Sequence, residues 1–371
     1  MEFLDLKTQQ KRIRKPLEKR INKILDHGAY IMGPEVFELE EKLADYCGVK
    51  HAISCSSGTD ALLIPLMAWG IGPGDAVFTT PFTYVATAEV ISILGATPVF
   101  VDVYESTYNI DCNKLEIEIN KVIKEGKLKP KAIIPVDLFG LPARYRLIDK
   151  IAKKYNLKVI EDAAQSFGAT YHGKKSCALA RIGSTSFFPS KPLGGFGDGG
   201  ALFTDDDALA DTFRKIRVHG QAGKHQHPII GLNGRLDTLQ AAMLLVAFEH
   251  FPKEVALRQA KADTYCQLLS ESSISDLQLP NIASGSTSVY AQYTILSPRR
   301  EIIKSRLEKE GIPSVSYYAR PLHLQPVFKN LKYKKGDFPV SELVSDQCLS
   351  LPMSPYLALE DIRKIVKTIE E

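Results

Sequence analysis

The sequence predicts an α/β protein: a large domain over residues 1–250, built on a mostly parallel seven-stranded sheet with helices on both faces, then a smaller α+β domain over residues 251–371. Three observations predict it. Short apolar runs alternate with helix-period stretches through the first half of the chain, and a helix between two strands returns the second strand parallel to the first. A long helical stretch opens near Leu236, and a shorter α+β pattern follows it. The length, 371 residues, is too great for one small domain and fits a large one plus a smaller one.

The elements follow in order. Leu17, Ile21, Ile24 and Leu25 recur at helical spacing. A second helix opens at Gly33-Pro34, with proline in its first turn, and closes before Gly48, with Val36, Leu39 and Leu43 facing its core. Strand-like runs then appear at 52–55, 76–80, 98–103, 132–136, 158–161, 184–188 and 201–204. Helix-like stretches at 59–69, 84–94, 112–123 and 143–155 separate most of them. Pro65 lies inside the first of these and, lacking an N–H, should kink it. The helix from Leu236 runs to about Arg258, and a last helix covers 360–370.

Composition excludes several function classes. Apolar residues make up 44% and charged residues 24%, so a sizeable core is no difficulty. The net charge is +4, and the only dense basic run, 11–20, sits on a helical pattern as a solvated face; a nucleic-acid partner is not expected. The six cysteines form no C-x-x-C pair and no zinc spacing, so no metal is expected and a reducing cytoplasm is the expected compartment. No apolar signal core or membrane-length apolar run occurs, so neither secretion nor a membrane anchor is expected.

In a parallel sheet, ligands bind at the carboxyl ends of strands. Three segments stand there. Ser56-Ser57-Gly58-Thr59-Asp60 links a strand to a helix; its free amides and the helix dipole suit a phosphate, although a plain helix cap reads the same way. In Val159-Ile160-Glu161-Asp162, an apolar strand delivers a carboxylate to its end. In Ser184–Gly195, a β-rich stretch ends in Lys191 before a glycine-rich turn. A lysine among apolar groups loses proton affinity and becomes a nucleophile for a carbonyl, though many loop lysines merely snorkel to solvent. Taken together, a phosphate cup, an acid and a lysine are what pyridoxal phosphate needs: the lysine takes its aldehyde as a Schiff base, and the acid keeps the pyridine nitrogen protonated.

On these segments, with Tyr30-Ile31-Met32-Gly33-Pro34, Pro81–Thr87, Ala163-Ala164-Gln165-Ser166, Ser186–Lys191 and Gly231–Arg235, the chain resembles the fold-type-I aminotransferases, specifically the DegT–StrS-type nucleotide-sugar aminotransferases, over nearly its whole length. The resemblance implies roles. Lys191 and Asp162 are catalytic. Gln165 contacts the ring hydroxyl and Tyr84 stacks on the ring, unless Tyr84 is simply a core aromatic. Gly58, Thr59 and Ser186 hold the phosphate, and Asn233 reaches the phosphate of a partner subunit, which implies a homodimer with shared sites. Arg235 is a candidate for a substrate carboxylate, with an interface salt bridge as the alternative. Tyr317, Tyr318 and His323 lie in a segment expected to face the sugar; where many relatives carry His-Tyr-Pro, this chain has Tyr317-Tyr318-Ala319. The finer resemblance is to enzymes that aminate UDP-2-acetamido-2-deoxy-3-oxo-glucuronate with L-glutamate, in the making of surface polysaccharide. The alternatives are transfer to another keto nucleotide sugar, a sugar dehydratase of the same fold, whose relatives replace the lysine by histidine, and a non-catalytic sensor.

Overall fold

A computed structural model describes all 371 residues, Met1–Glu371. Its centre is a seven-stranded sheet: β1 (His51–Cys55), β2 (Asp75–Thr79), β3 (Thr97–Phe100), β4 (Lys129–Ile133), β5 (Lys158–Asp162), β6 (Ile182–Ser186) and β7 (Gly200–Thr204). The spatial order is β1-β7-β6-β5-β4-β2-β3. Only β7 runs antiparallel to its neighbours, β1 and β6. The carboxyl ends of the other six strands therefore share one edge of the sheet.

Alternation along the strands explains the layers. Ile53, Val77, Ile160 and Leu202 point to one face, against α3 (Gly58–Ala68), α4 (Ala86–Ile93) and α7 (Asp207–Arg217). Ala52 and Phe203 point to the other, against α2 (Pro34–Cys47) and α8 (Thr238–Glu271). Phe78 and Ile133 share that second face with α5 (Cys112–Glu125) and α6 (Tyr145–Tyr155). Strands covered on both sides must be apolar throughout, which is why they read as short continuous runs.

All seven expected strands form, each within a few residues of its expected limits. α2 starts at Pro34, behind Gly33, and ends at Gly48, whose backbone is left-handed. Several expectations change. On α1 (Leu6–His27) the buried residues are Ile13, Leu17 and Ile24, whereas Leu25 is 57% exposed: one residue further on is 100° further round the helix. α3 continues through Pro65 to Ala68. α7 was not foreseen; Asp206 caps it by accepting from the amides of Ala208 and Leu209.

The largest difference is α8, which continues thirteen residues past Arg258. Ala262, Tyr265 and Leu269, spaced three and four apart, carry its apolar stripe into the core of the second lobe. α8 thus crosses the boundary expected between residues 250 and 251. That lobe pairs β8 (Tyr293–Leu296) antiparallel with β9 (Cys348–Leu351) and adds α9 (Arg300–Lys309), α10 (Pro339–Gln347) and α11 (Leu359–Glu370). No helix is long and apolar enough to cross a membrane.

Candidate active site

The shared edge of carboxyl ends gathers the expected residues. β1 delivers Ser56 to Thr59, and α3 starts at once: the Ser57 side chain accepts from the Asp60 amide at 3.1 Å, and Ser56 donates to the Asp60 carboxylate. No hydrogen bond within the chain uses the amides of Gly58 or Thr59. They are two of the orphan donors that every helix start leaves. Opposite them lies Ser186, at the end of β6. A Cβ on Gly58 would stand 2.6 Å from the Ser186 Cβ, so only glycine lets α3 begin this close to β6. Gly58, Thr59 and Ser186 thus form one concave cup.

On the strand next to β6, β5 ends in Asp162, which is only 4% exposed. Burial raises its pKa; the Thr87 hydroxyl, the Ala164 amide and the charge of Lys191 oppose that rise. Oδ2 accepts from Thr87 Oγ1 at 2.8 Å, and Oδ1 from Ala164 N at 3.2 Å. A carboxylate has about four lone-pair positions, so acceptor capacity is left over. Lys191 follows β6 on a turn where its amide donates to the Phe188 carbonyl at 2.8 Å. Its side chain retains some solvent exposure but is packed closely enough that burial lowers its pKa, with Asp162 pulling the other way. Acid and lysine therefore feel each other's charge inside a poorly solvated pocket.

Gln165 is held at both ends. Its Oε1 accepts from the Phe139 amide at 2.8 Å and its Nε2 donates to the Tyr318 hydroxyl at 3.1 Å. This fixes which end of the amide is the donor. Tyr84, at the start of α4, is 56% exposed, with its ring 6.4 Å from that of Tyr318. It is thus not the core aromatic its alternative reading supposed. Tyr317 meets Tyr318 edge to face, ring centroids 5.8 Å apart, and lies tilted against Phe3 at 6.3 Å.

Asn233 is exposed, on a strand-like segment tied to the cup of its own chain: the Ser56 amide donates to Gly234 O, and the Gly234 amide to Arg217 O, both at 3.0 Å. Arg235 lines an open depression of about 420 Å³ with Ser56, Ser57, Asp198 and Gln240. Its Nε is buried without a hydrogen-bond partner. No salt bridge engages it in the chain, so the salt-bridge alternative would require a partner.

His323 is the expected site residue that the structure keeps apart. It is 2% exposed, packs edge-on to Phe338 at 4.7 Å and pairs with Glu342 Oε1 at 3.0 Å. Burial lowers its pKa against the pull of Glu342. A ring so enclosed offers no surface to a sugar, and its Nδ1 is buried without a hydrogen-bond partner.

Sequence reasoning missed Thr87, the amide of Phe139, and a buried brace behind the cup. In that brace Arg217 donates to Glu40 and to the Ser54 carbonyl, and Glu40 accepts from Ser54 N at 2.9 Å. Only Thr87 left a signal: it stands three residues after Tyr84, one helical turn on. No cluster of residues could hold a metal ion.

These residues fit pyridoxal phosphate: two unused amides and a serine for the phosphate, a buried acid with spare acceptor capacity, and a lysine whose proton is loosened. A family model described as the DegT/DnrJ/EryC1/StrS aminotransferase family matches residues 11–370. The UDP-2-acetamido-2-deoxy-3-oxo-D-glucuronate aminotransferase of Pseudomonas aeruginosa is 50% identical, with 98% of each chain covered. A pleiotropic regulatory protein of Geobacillus stearothermophilus is 43% identical, with 100% of this chain and 97% of that one covered. A solved aminotransferase of the same family from Brucella abortus superposes with a TM-score of 0.96 at 48% identity, covering 100% of this chain and 98% of that one.

Proposed function

The chain belongs to the DegT/DnrJ/EryC1/StrS aminotransferase family, a pyridoxal-phosphate-dependent one, and we propose that it transfers an amino group from L-glutamate to UDP-2-acetamido-2-deoxy-3-oxo-glucuronate in the cytoplasm. The observation that carries the reading is the Lys191–Asp162 pair at the carboxyl ends of β6 and β5. The choice of sugar rests on the 50% identical relative of that name. The compartment rests on six free cysteines.

When bound, pyridoxal phosphate supplies a reactive carbonyl and a ring that withdraws electrons from the carbon losing its proton. The rest falls to the chain. Burial leaves the Lys191 amine able to shed its proton, so Nζ would hold the cofactor at its carbonyl and could take up and return a proton as base and then acid. Asp162 would hold the ring nitrogen by its negative charge. Gln165 aims its NH2 toward the ring hydroxyl because Phe139 occupies its oxygen. Tyr84 offers a ring face. The amides of Gly58 and Thr59, with Ser186, bind phosphate at the start of α3. Asn233, exposed on its segment, reaches the phosphate of a second copy. The Arg235 fork receives a substrate carboxylate, and Tyr317 and Tyr318 shape the sugar pocket. A regulator, which one relative's name suggests, would have no use for the Lys191–Asp162 pair.

The test is spectroscopic. L-Glutamate alone should convert the lysine-bound cofactor to its amine form, and the keto sugar should restore the original spectrum, with ping-pong kinetics. A spectrum moved by another donor but not by glutamate removes the donor; one moved by no amino donor removes transamination.

A further inference from the structure

Three carboxylates are buried together where β4 and β5 end: Asp137, Glu161 and Asp162. Two are committed to the scaffold. Asp137 accepts from Ala143 N, the Tyr145 hydroxyl and Ser166 Oγ. Glu161, on the opposite face of β5, accepts from the amides of Cys177 and Leu179. Only Asp162 is left to face the site, and its sole side-chain donor is Thr87.

Thr87 is 1% exposed and Thr83 2%. The Thr83 and Thr87 hydroxyls are 3.2 Å apart. Because Asp162 as an anion can only accept, the direction is fixed: Thr87 donates to Asp162, and its lone pairs accept from Thr83. Such a chain strengthens each bond in it, and a hydroxyl bound to an anion makes one of the stronger hydrogen bonds. The turn leading into α4 carries Tyr84, whose carbonyl accepts from the Thr87 amide at 3.3 Å.

We propose that Thr87, backed by Thr83, is the positioning residue that fixes the Asp162 carboxylate against the ring nitrogen and, through its helical turn, sets the face of Tyr84 against the ring. This rests on the pyridoxal-phosphate reading above. The other charged or titratable groups around Asp162 are Lys191 from the loop after β6, Asp137 from the segment after β4, Tyr145 from α6, and Tyr318 from the second lobe.

The experiment compares Thr87→Val, which keeps the shape and loses the hydroxyl, with Thr87→Ser, which keeps the hydroxyl. Two quantities are read: the Kd of the apoprotein for pyridoxal phosphate, and the pH at which the ring nitrogen of 15N-labelled cofactor loses its proton by NMR. Thr87→Val should weaken cofactor binding about 10-fold or more, the worth of a hydrogen bond to a charge, and the nitrogen should lose its proton at lower pH. Thr87→Ser should stay near wild type in both. If Thr87→Val does not fold, Thr83→Val should move both quantities the same way by less, and no movement overturns the inference. An unchanged Thr87→Val overturns it, and so does a Thr87→Ser as impaired as Thr87→Val, since the methyl rather than the hydroxyl would then matter. Wild-type protein that binds no cofactor overturns the underlying reading as well; a normal wild-type signal beside an unchanged Thr87→Val overturns this inference alone.

Discussion

Asp137, buried beside Glu161, gives the fold a pH dependence. Burial pushes its pKa up to about 7, and the charge of Asp162 adds to the rise, against the hydrogen bonds it accepts from Ala143, Ser166 and Tyr145. An acid with a raised pKa binds its proton more tightly folded than unfolded. Between the unfolded value, about 3.9, and about 7, unfolding therefore releases a proton, and stability falls as pH rises. The cost of its buried charge is absent below that window and fully present above it. Glu161, raised by burial and by the charge of Asp137, acts in the same sense, and His323, with its lowered pKa, in the opposite sense below about 6.5, so the comparison with Asp137→Asn removes the His323 contribution and reads the carboxyl pair. The asparagine can still accept from Ala143 and Tyr145. In the apoprotein the melting temperature of Asp137→Asn, relative to wild type, should rise between pH 5 and pH 8. A constant difference would show that Asp137 keeps one charge state throughout.

Among elements, the joint between the lobes is a helix cap supplied from across the interface. α10 begins behind Phe338, with no capping side chain of its own. Asp102, beyond the end of β3, caps it, accepting from Ser341 N at 2.9 Å, Ser341 Oγ at 2.6 Å and Val340 N at 3.1 Å. Lys114 Nζ adds a contact at 2.8 Å. Burial would raise the Asp102 pKa, but Lys114 and Ser341 outweigh it and hold the carboxyl below its usual range. Asp102→Ala strands these donors and should cost about 2 to 4 kcal/mol in urea melts. Asp102→Asn, which keeps one acceptor oxygen, should lose less. Equal losses would mean that the packing of Phe100, Phe328 and Phe338, not the cap, holds α10 in place.

For the whole molecule, the segment carrying Asn233 joins two scales. Gly234 ties it to the cup of its own chain through Ser56, while Asn233 itself is exposed. Ile230, nearby, is 84% exposed, and Phe188, three residues before Lys191, is 51% exposed; apolar groups at that exposure suit a second copy of the chain. A Lys191→Ala chain and an Asn233→Ala chain should each be impaired, the first with no detectable turnover. Mixed, they should recover activity, because one site of each hybrid dimer has both groups intact. Activity that stays at the sum of the separate proteins, or light scattering from an active monomer, would remove the shared site.

The sequence by itself determined the sheet, its seven strands and the three segments at its carboxyl edge, because strand burial and the residues that follow each strand are local patterns. It also marked Lys191 and Asp162, since each ends an apolar run. Only the tertiary structure decided what lies beside them. Thr87 reaches Asp162 across 75 positions and Arg217 reaches Glu40 across 177; no local pattern encodes a contact at such a separation. His323, read beside the tyrosines it follows in sequence, turned into the core because Phe338 and Glu342, from the approach to α10 and α10 itself, enclose it. α8 outran its expected end because the stripe of Ala262, Tyr265 and Leu269 has meaning only once the second lobe packs on it. Local sequence fixes which residues can be buried or reactive; which of them meet depends on how the elements pack, and that is settled only when the chain has folded.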